Sequence, residues 1–132
     1  MKKEISEYFT LRFKDIPVEE AAVKNNCMVD IPSSKELFID IDSEADMDRF
    51  YSVLGMFAAK IGIESYVIGN SRSCTPGKYH IRVRLLHEID DLTRVLFQTI
   101  LGSDPKRELL SYMRIKNNIV PVTAFLEKKK EE

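Results

Sequence analysis

The chain has 132 residues, 44% of them apolar and 31% charged, a size and composition suited to one soluble domain with a buried core. Twenty Lys and Arg against 21 Asp and Glu leave a net charge of −1, so no global basic field draws the protein onto nucleic acid, and such binding would need a local patch. These figures exclude a disordered chain, a collagen-like fibre and a disulfide-stapled miniprotein.

Cys27 and Cys74 are too few for a disulfide framework or a four-ligand zinc site, and both are expected as free thiols in a reducing cytoplasm. The N-terminus is charged from the start, without the apolar run of a signal peptide, and the longest uncharged run, Phe50 to Ala59, is too short to span a membrane. Residues 1–34 read as a weakly patterned N-terminal extension ending in the loop signal Ile31-Pro32-Ser33-Ser34. Residues 35–127 read as a single α+β domain, and 128–132 as a charged tail.

The first clear element is Leu37-Phe38-Ile39-Asp40-Ile41-Asp42. Its alternation predicts a strand with Leu37, Ile39 and Ile41 on one face and Phe38, Asp40 and Asp42 on the other. A helix is expected from about Ser43 to Gly62, acidic in its first turns, with Met47, Phe50, Tyr51, Leu54, Phe57, Ala58 and Ile61 as its apolar stripe. Ile63 to Ile68 predicts a second strand, and Gly69 to Lys78 a turn-rich loop. Tyr79 to Leu85 predicts a third strand, with Ile81, Val83 and Leu85 opposite His80, Arg82 and Arg84. A helix from about Ile89 to Leu101, a short helix from Pro105 and a last strand from Ile119 to Leu126 complete the chain. Pro121 puts that last strand at or near an edge.

The order β-α-β-β-α-(α)-β is the split β-α-β pattern of ferredoxin-like and RNA-recognition (RRM-like) sheets. It predicts one four-stranded, mainly antiparallel sheet with helices on one face. The first and third strands are then neighbours, their apolar parities turned to the helices. Asp40, Asp42, His80, Arg82 and Arg84 lie together on the open face.

Two carboxylates two residues apart on a strand sit roughly 7 Å apart and repel unless a cation joins them. Their hard oxygens suit Mg²⁺ or Mn²⁺ shared with substrate phosphates. Arginine forks and a histidine on the neighbouring strand can hold phosphate oxygens. That combination suits phosphoryl or nucleotidyl transfer, and also metal-dependent phosphodiester cleavage. Each half of the pattern is equally at home as an ordinary solvated strand face with cross-strand ion pairs.

The D-x-D strand followed by a helix, then Ser73 to Gly77, Tyr79-His80-Ile81-Arg82-Val83 and a further helix, resembles the archaeo-eukaryotic primase (primase-polymerase) superfamily over about residues 36–126. The resemblance implies a minimal, divergent primase-polymerase-like protein in the replication of a virus or mobile element. It would act on a nucleoside triphosphate and nucleic acid, with a replication partner protein. Asp40 and Asp42 would be metal ligands and catalytic, and His80 a nucleotide-phosphate contact. Ser73, Lys78 and Arg82 would lie beside His80, with Arg72 and Arg84 along the template. The family's third carboxylate would be Asp104, although Asp before Pro also suits a helix N-cap. The competing expectation is a non-catalytic RRM-like nucleic-acid or protein binding module. Only Phe38 offers the open face an aromatic on which a base could stack.

Overall fold

The computed structural model describes residues 27–69 and 79–128. Five strands and three helices follow in the order β1 (Cys27–Asp30), β2 (Glu36–Ile41), α1 (Glu44–Ile61), β3 (Ile63–Gly69), β4 (Tyr79–Leu85), α2 (Asp91–Ile100), α3 (Pro105–Lys116) and β5 (Phe125–Lys128). No helix among the described residues is long and apolar enough to cross a membrane.

Local signals set the helix ends. Ser43 is extended and its Oγ accepts from the Asp46 amide at 3.2 Å. Gly62, at φ 82°, closes α1 in the left-handed conformation that glycine adopts without strain. Asp90 caps α2 through the Thr93 amide at 2.8 Å. Asp104 caps α3 through the Lys106 amide at 3.1 Å, with Pro105 in the first helical turn.

The expected four-stranded sheet is instead a three-stranded sheet, β2-β4-β3, and a separate two-stranded sheet, β1-β5, all antiparallel pairs. β4 is therefore central and β2 is an edge. The last strand begins at Phe125 rather than Ile119, after Pro121, which has no N–H for a ladder. Its partner β1 falls inside the stretch that reads as weakly patterned.

A physical reason for the missing fourth strand lies along the outer edge of β2. The Phe38 amide donates to Gln98 Oε1 at 2.8 Å, and the Asp40 amide to Ser103 Oγ at 3.0 Å. The Glu36 carbonyl accepts from Arg94 Nε at 2.9 Å, the Phe38 carbonyl from Arg107, and the Asp40 carbonyl from the Asp104 amide at 2.7 Å. Side chains and a helix N-terminus thus satisfy the groups that a neighbouring strand would have taken. Beneath them lies a buried polar network. Glu108, 2% exposed, accepts from Gln98 Nε2 at 2.8 Å, Ser103 Oγ at 2.6 Å and Arg107 Nη1 at 2.8 Å.

The odd-numbered parities of β2 and β4 face the core as expected. Leu37, Ile39, Ile41, Ile81, Val83 and Leu85 pack with Met47 and Phe50 of α1 and with Leu101. Each such side chain taken from water is worth about 1.5–3 kcal/mol. The α1 stripe is narrower than its spacing suggests: Tyr51 and Phe57 are exposed, and Leu54 and Ile61 are half-buried. β3 covers little, with Tyr66, Val67 and Ile68 all exposed. Cys27 is buried and disulfide-bonded, against the expectation of two free thiols; a count of cysteines says nothing about which of them the fold brings together. The chain's other cysteine, Cys74, lies outside the described residues.

Candidate functional site

The β2–β4 register decides which side chains meet. Asp40 stands opposite His80, Phe38 opposite Arg82 and Glu36 opposite Arg84, so these residues share the face away from the aliphatic core. His80 Nε2 lies 3.8 Å from Asp40 Oδ1, with the two side chains 10% and 13% exposed. At that separation the contact is ionic when the imidazole is protonated rather than a hydrogen bond.

This face is not open. The two-stranded sheet lies on it. The Phe125 ring of β5 stacks on Phe38, with centroids 4.5 Å apart and planes 5° from parallel. It also stacks on His80, at 3.8 Å and 2°. Asp30 of β1 pairs with Arg82, whose guanidinium also sits 4.8 Å from the Phe38 ring centre and 5.3 Å from that of Phe125. Arg107 reaches in from α3 to 5.2 Å from the Phe125 ring centre. The expected open face is thus corrected to a covered one, because alternation tells which residues share a side and not what lies over them.

The remaining candidates are scattered around this centre. Asp42 is exposed, one residue beyond the end of β2. Asp104 comes close through its backbone, since its amide donates to the Asp40 carbonyl, while its carboxylate caps α3. Arg84 lies four residues along β4 from His80, roughly 13 Å away, in an exposed pair with Glu64 at 3.4 Å. Arg72, Ser73 and Lys78 lie outside the described residues. At the start of β4 the Tyr79 hydroxyl donates to Glu44 Oε1 at 3.0 Å, and this bond, with the negative charge of Glu44, raises the tyrosine above its ordinary pKa.

Among the described residues no three His, Cys, Asp or Glu gather so as to hold a metal ion by themselves. Asp40 and Asp42 offer the hard oxygens that Mg²⁺ and Mn²⁺ take, and such ions are commonly held by one or two carboxylates with water and substrate phosphates filling the rest. Asp40 is largely buried beside His80 while Asp42 is exposed beyond the strand end, so the described residues form no protein-only metal cage.

No family model matches the chain, and neither does any curated protein or solved structure.

Three residues at this centre have no sequence signal of their own. Asp30 lies in a stretch without periodicity. Phe125 reads as one apolar position of a short strand, and Arg107 carries no pattern that marks it. Only the cross-strand pairing of Asp30 with Phe125 brings the first two over β4.

Proposed function

We propose that the Asp40–His80 end of the sheet is a nucleotide-phosphate site of the primase-polymerase kind, serving divalent-metal-dependent nucleotidyl transfer. The observation that carries this reading is the cross-strand pair: Asp40, the first aspartate of D-x-D, and the strand histidine meet on one face, 3.8 Å apart. Asp40 and Asp42 would hold the metal, which when bound would offset phosphate charge and activate the attacking hydroxyl. His80 donates a hydrogen bond to a phosphate oxygen when protonated, and Arg82 supplies a fork for two more. Asp104 holds the Asp40 backbone in place through its amide, so its contribution is to position that strand. Arg84, with Arg72 and Lys78 of the preceding loop, would follow a template strand, and a replication partner would supply what so short a chain lacks. The origin we propose is a virus or mobile element, and the setting cytoplasmic; the Cys27 disulfide weighs against that setting, since disulfides are rare in reducing compartments.

The competing RRM-like nucleic-acid reading is less favoured by this state: its single stacking aromatic, Phe38, is 1% exposed and is covered by Phe125, so a base reaches it only where Phe125 gives way.

The test is calorimetric titration of Mn²⁺, with and without ATP, into wild type and an Asp40→Ala/Asp42→Ala variant. Metal-dependent ATP binding that the double variant loses is the expected result. Absence of binding to the wild-type protein overturns the proposal.

A further inference from the structure

The β1–β5 pair delivers two side chains to the candidate site at once. Asp30 and Phe125 are direct partners in the register of these strands, so an anion and a flat ring arrive side by side. Asp30 takes the Arg82 guanidinium, and Phe125 lies parallel to both Phe38 and His80 within stacking distance of each. Two rings parallel to a third at such distances cannot share one of its faces without overlapping. Phe125 therefore fills a slot one ring thick, walled by Phe38 and His80 and flanked by the cations of Arg82 and Arg107.

We infer that β1–β5 is an internal pseudo-ligand. The Asp30 carboxylate stands where a phosphate would pair with Arg82, and the Phe125 ring stands where a nucleobase would stack between Phe38 and His80. The slot is thus a base-binding subsite for a nucleotide, closed in this state by the chain's own strands. This rests on the nucleotide reading above and adds to it the recognition of the base and a self-inhibited form.

The chemistry favours exchange. A nucleotide brings the same two features, negative charge and a π-face, and guanidinium groups accept phosphate at least as well as carboxylate. The strands it must displace are four residues each, and among the described residues they pair only with one another. A two-stranded ribbon of that length is held by what it packs on, and at its Cys27 end by a disulfide, rather than by its own ladder.

The experiment compares wild type, Asp30→Asn and Phe125→Leu by calorimetry with ATP and with sodium tripolyphosphate, both in Mn²⁺. Circular dichroism checks that each variant is folded. Both variants are expected to bind ATP about tenfold more tightly than wild type, whereas tripolyphosphate gains only from Asp30→Asn, because it has no base for the slot. Amide hydrogen exchange on the wild type gives a second measure that needs no substitution: ATP is expected to speed exchange in residues 27–30 and 125–128. Unchanged or weaker ATP binding by folded variants, or exchange slowed in both strands, overturns the inference while leaving the nucleotide reading in place. Failure of the wild-type protein to bind ATP refutes both.

Discussion

Glu108→Ala should be among the most damaging single changes on the β2 side of the molecule. The carboxylate is 2% exposed and is the shared acceptor for Gln98, Ser103 and Arg107. Removing one partner of a buried ion pair typically costs about 3–5 kcal/mol. Arg107 keeps bonds to the Phe38 and Ala124 carbonyls, which places the expected loss near the lower end, at about 3 kcal/mol. Glu108→Gln keeps the shape and one good bond and should lose roughly half of that. In urea, with a slope of about 1.5 kcal/mol per molar, the alanine variant should unfold about 2 M earlier than wild type. The local signature is more specific than the midpoint. Gln98 and Ser103 are oriented by Glu108 and accept from the Phe38 and Asp40 amides, so these two amides should lose hydrogen-exchange protection before those of Ile39 and Ile81. A midpoint within about 0.5 M of wild type, with both amides still protected, would show that the network does not hold the strand.

Ile39→Ala removes a fully buried side chain between the sheet and α1 and should lower stability by about 2–5 kcal/mol in the same urea assay. At Gly62 an added Cβ would meet nothing closer than His87 at 3.7 Å, so Gly62→Ala should cost only the left-handed backbone, about 1–2 kcal/mol, read as a lower melting temperature. Cys27→Ser should cost about 2–4 kcal/mol more under oxidising conditions than in excess dithiothreitol, where the reduced wild type lacks the same bond and only the buried hydroxyl remains as a difference. The Asp90 carboxyl is held below its ordinary value by hydrogen bonds from the Thr93 side chain and amide. Its stabilising contribution is therefore present above the ordinary aspartate range and disappears as pH falls through the lowered value. Asp90→Ala should flatten the acid limb of stability below about pH 4 and lower the plateau above it, checked by urea midpoints across the acid range.

Legibility in the sequence followed the length of each pattern. β2, β4 and α1 carry six or more residues of clean period, and Ser43, Gly62 and Asp104 mark ends by local chemistry alone, so their bounds were readable to within a residue or two. Alternation along β2 and β4 also puts Asp40 and His80 on one face, and their side chains meet at 3.8 Å. β1 was not legible and β5 was read as a strand that starts too early, because four residues give no period and both exist through contacts with distant rings and charges. The sealed edge of β2 was hidden for another reason. Gln98, Arg107 and Glu108 look like the polar sides of two amphipathic helices and Ser103 like part of the loop between them, and nothing local says that these residues turn inward. That inward turn replaced the fourth strand and left the last segment of chain to cover the face that alternation suggested was open.

The seal along β2 also imposes an order of events. Its bonds join residues 60, 63 and 69 positions apart, so the strand waits for most of the domain to be made before its outer backbone groups are satisfied. A chain emerging in sequence can already close β2, β4 and α1 around their aliphatic core. It then still displays a bare strand edge of the kind that invites pairing with another nascent copy. A fragment ending at Leu101 would retain that core and the α2 part of the seal, from Arg94 and Gln98, and lose the part made by Ser103, Asp104 and Arg107. Translation through α3 is the interval in which this protein is most exposed to self-association, and slow decoding there would lengthen it.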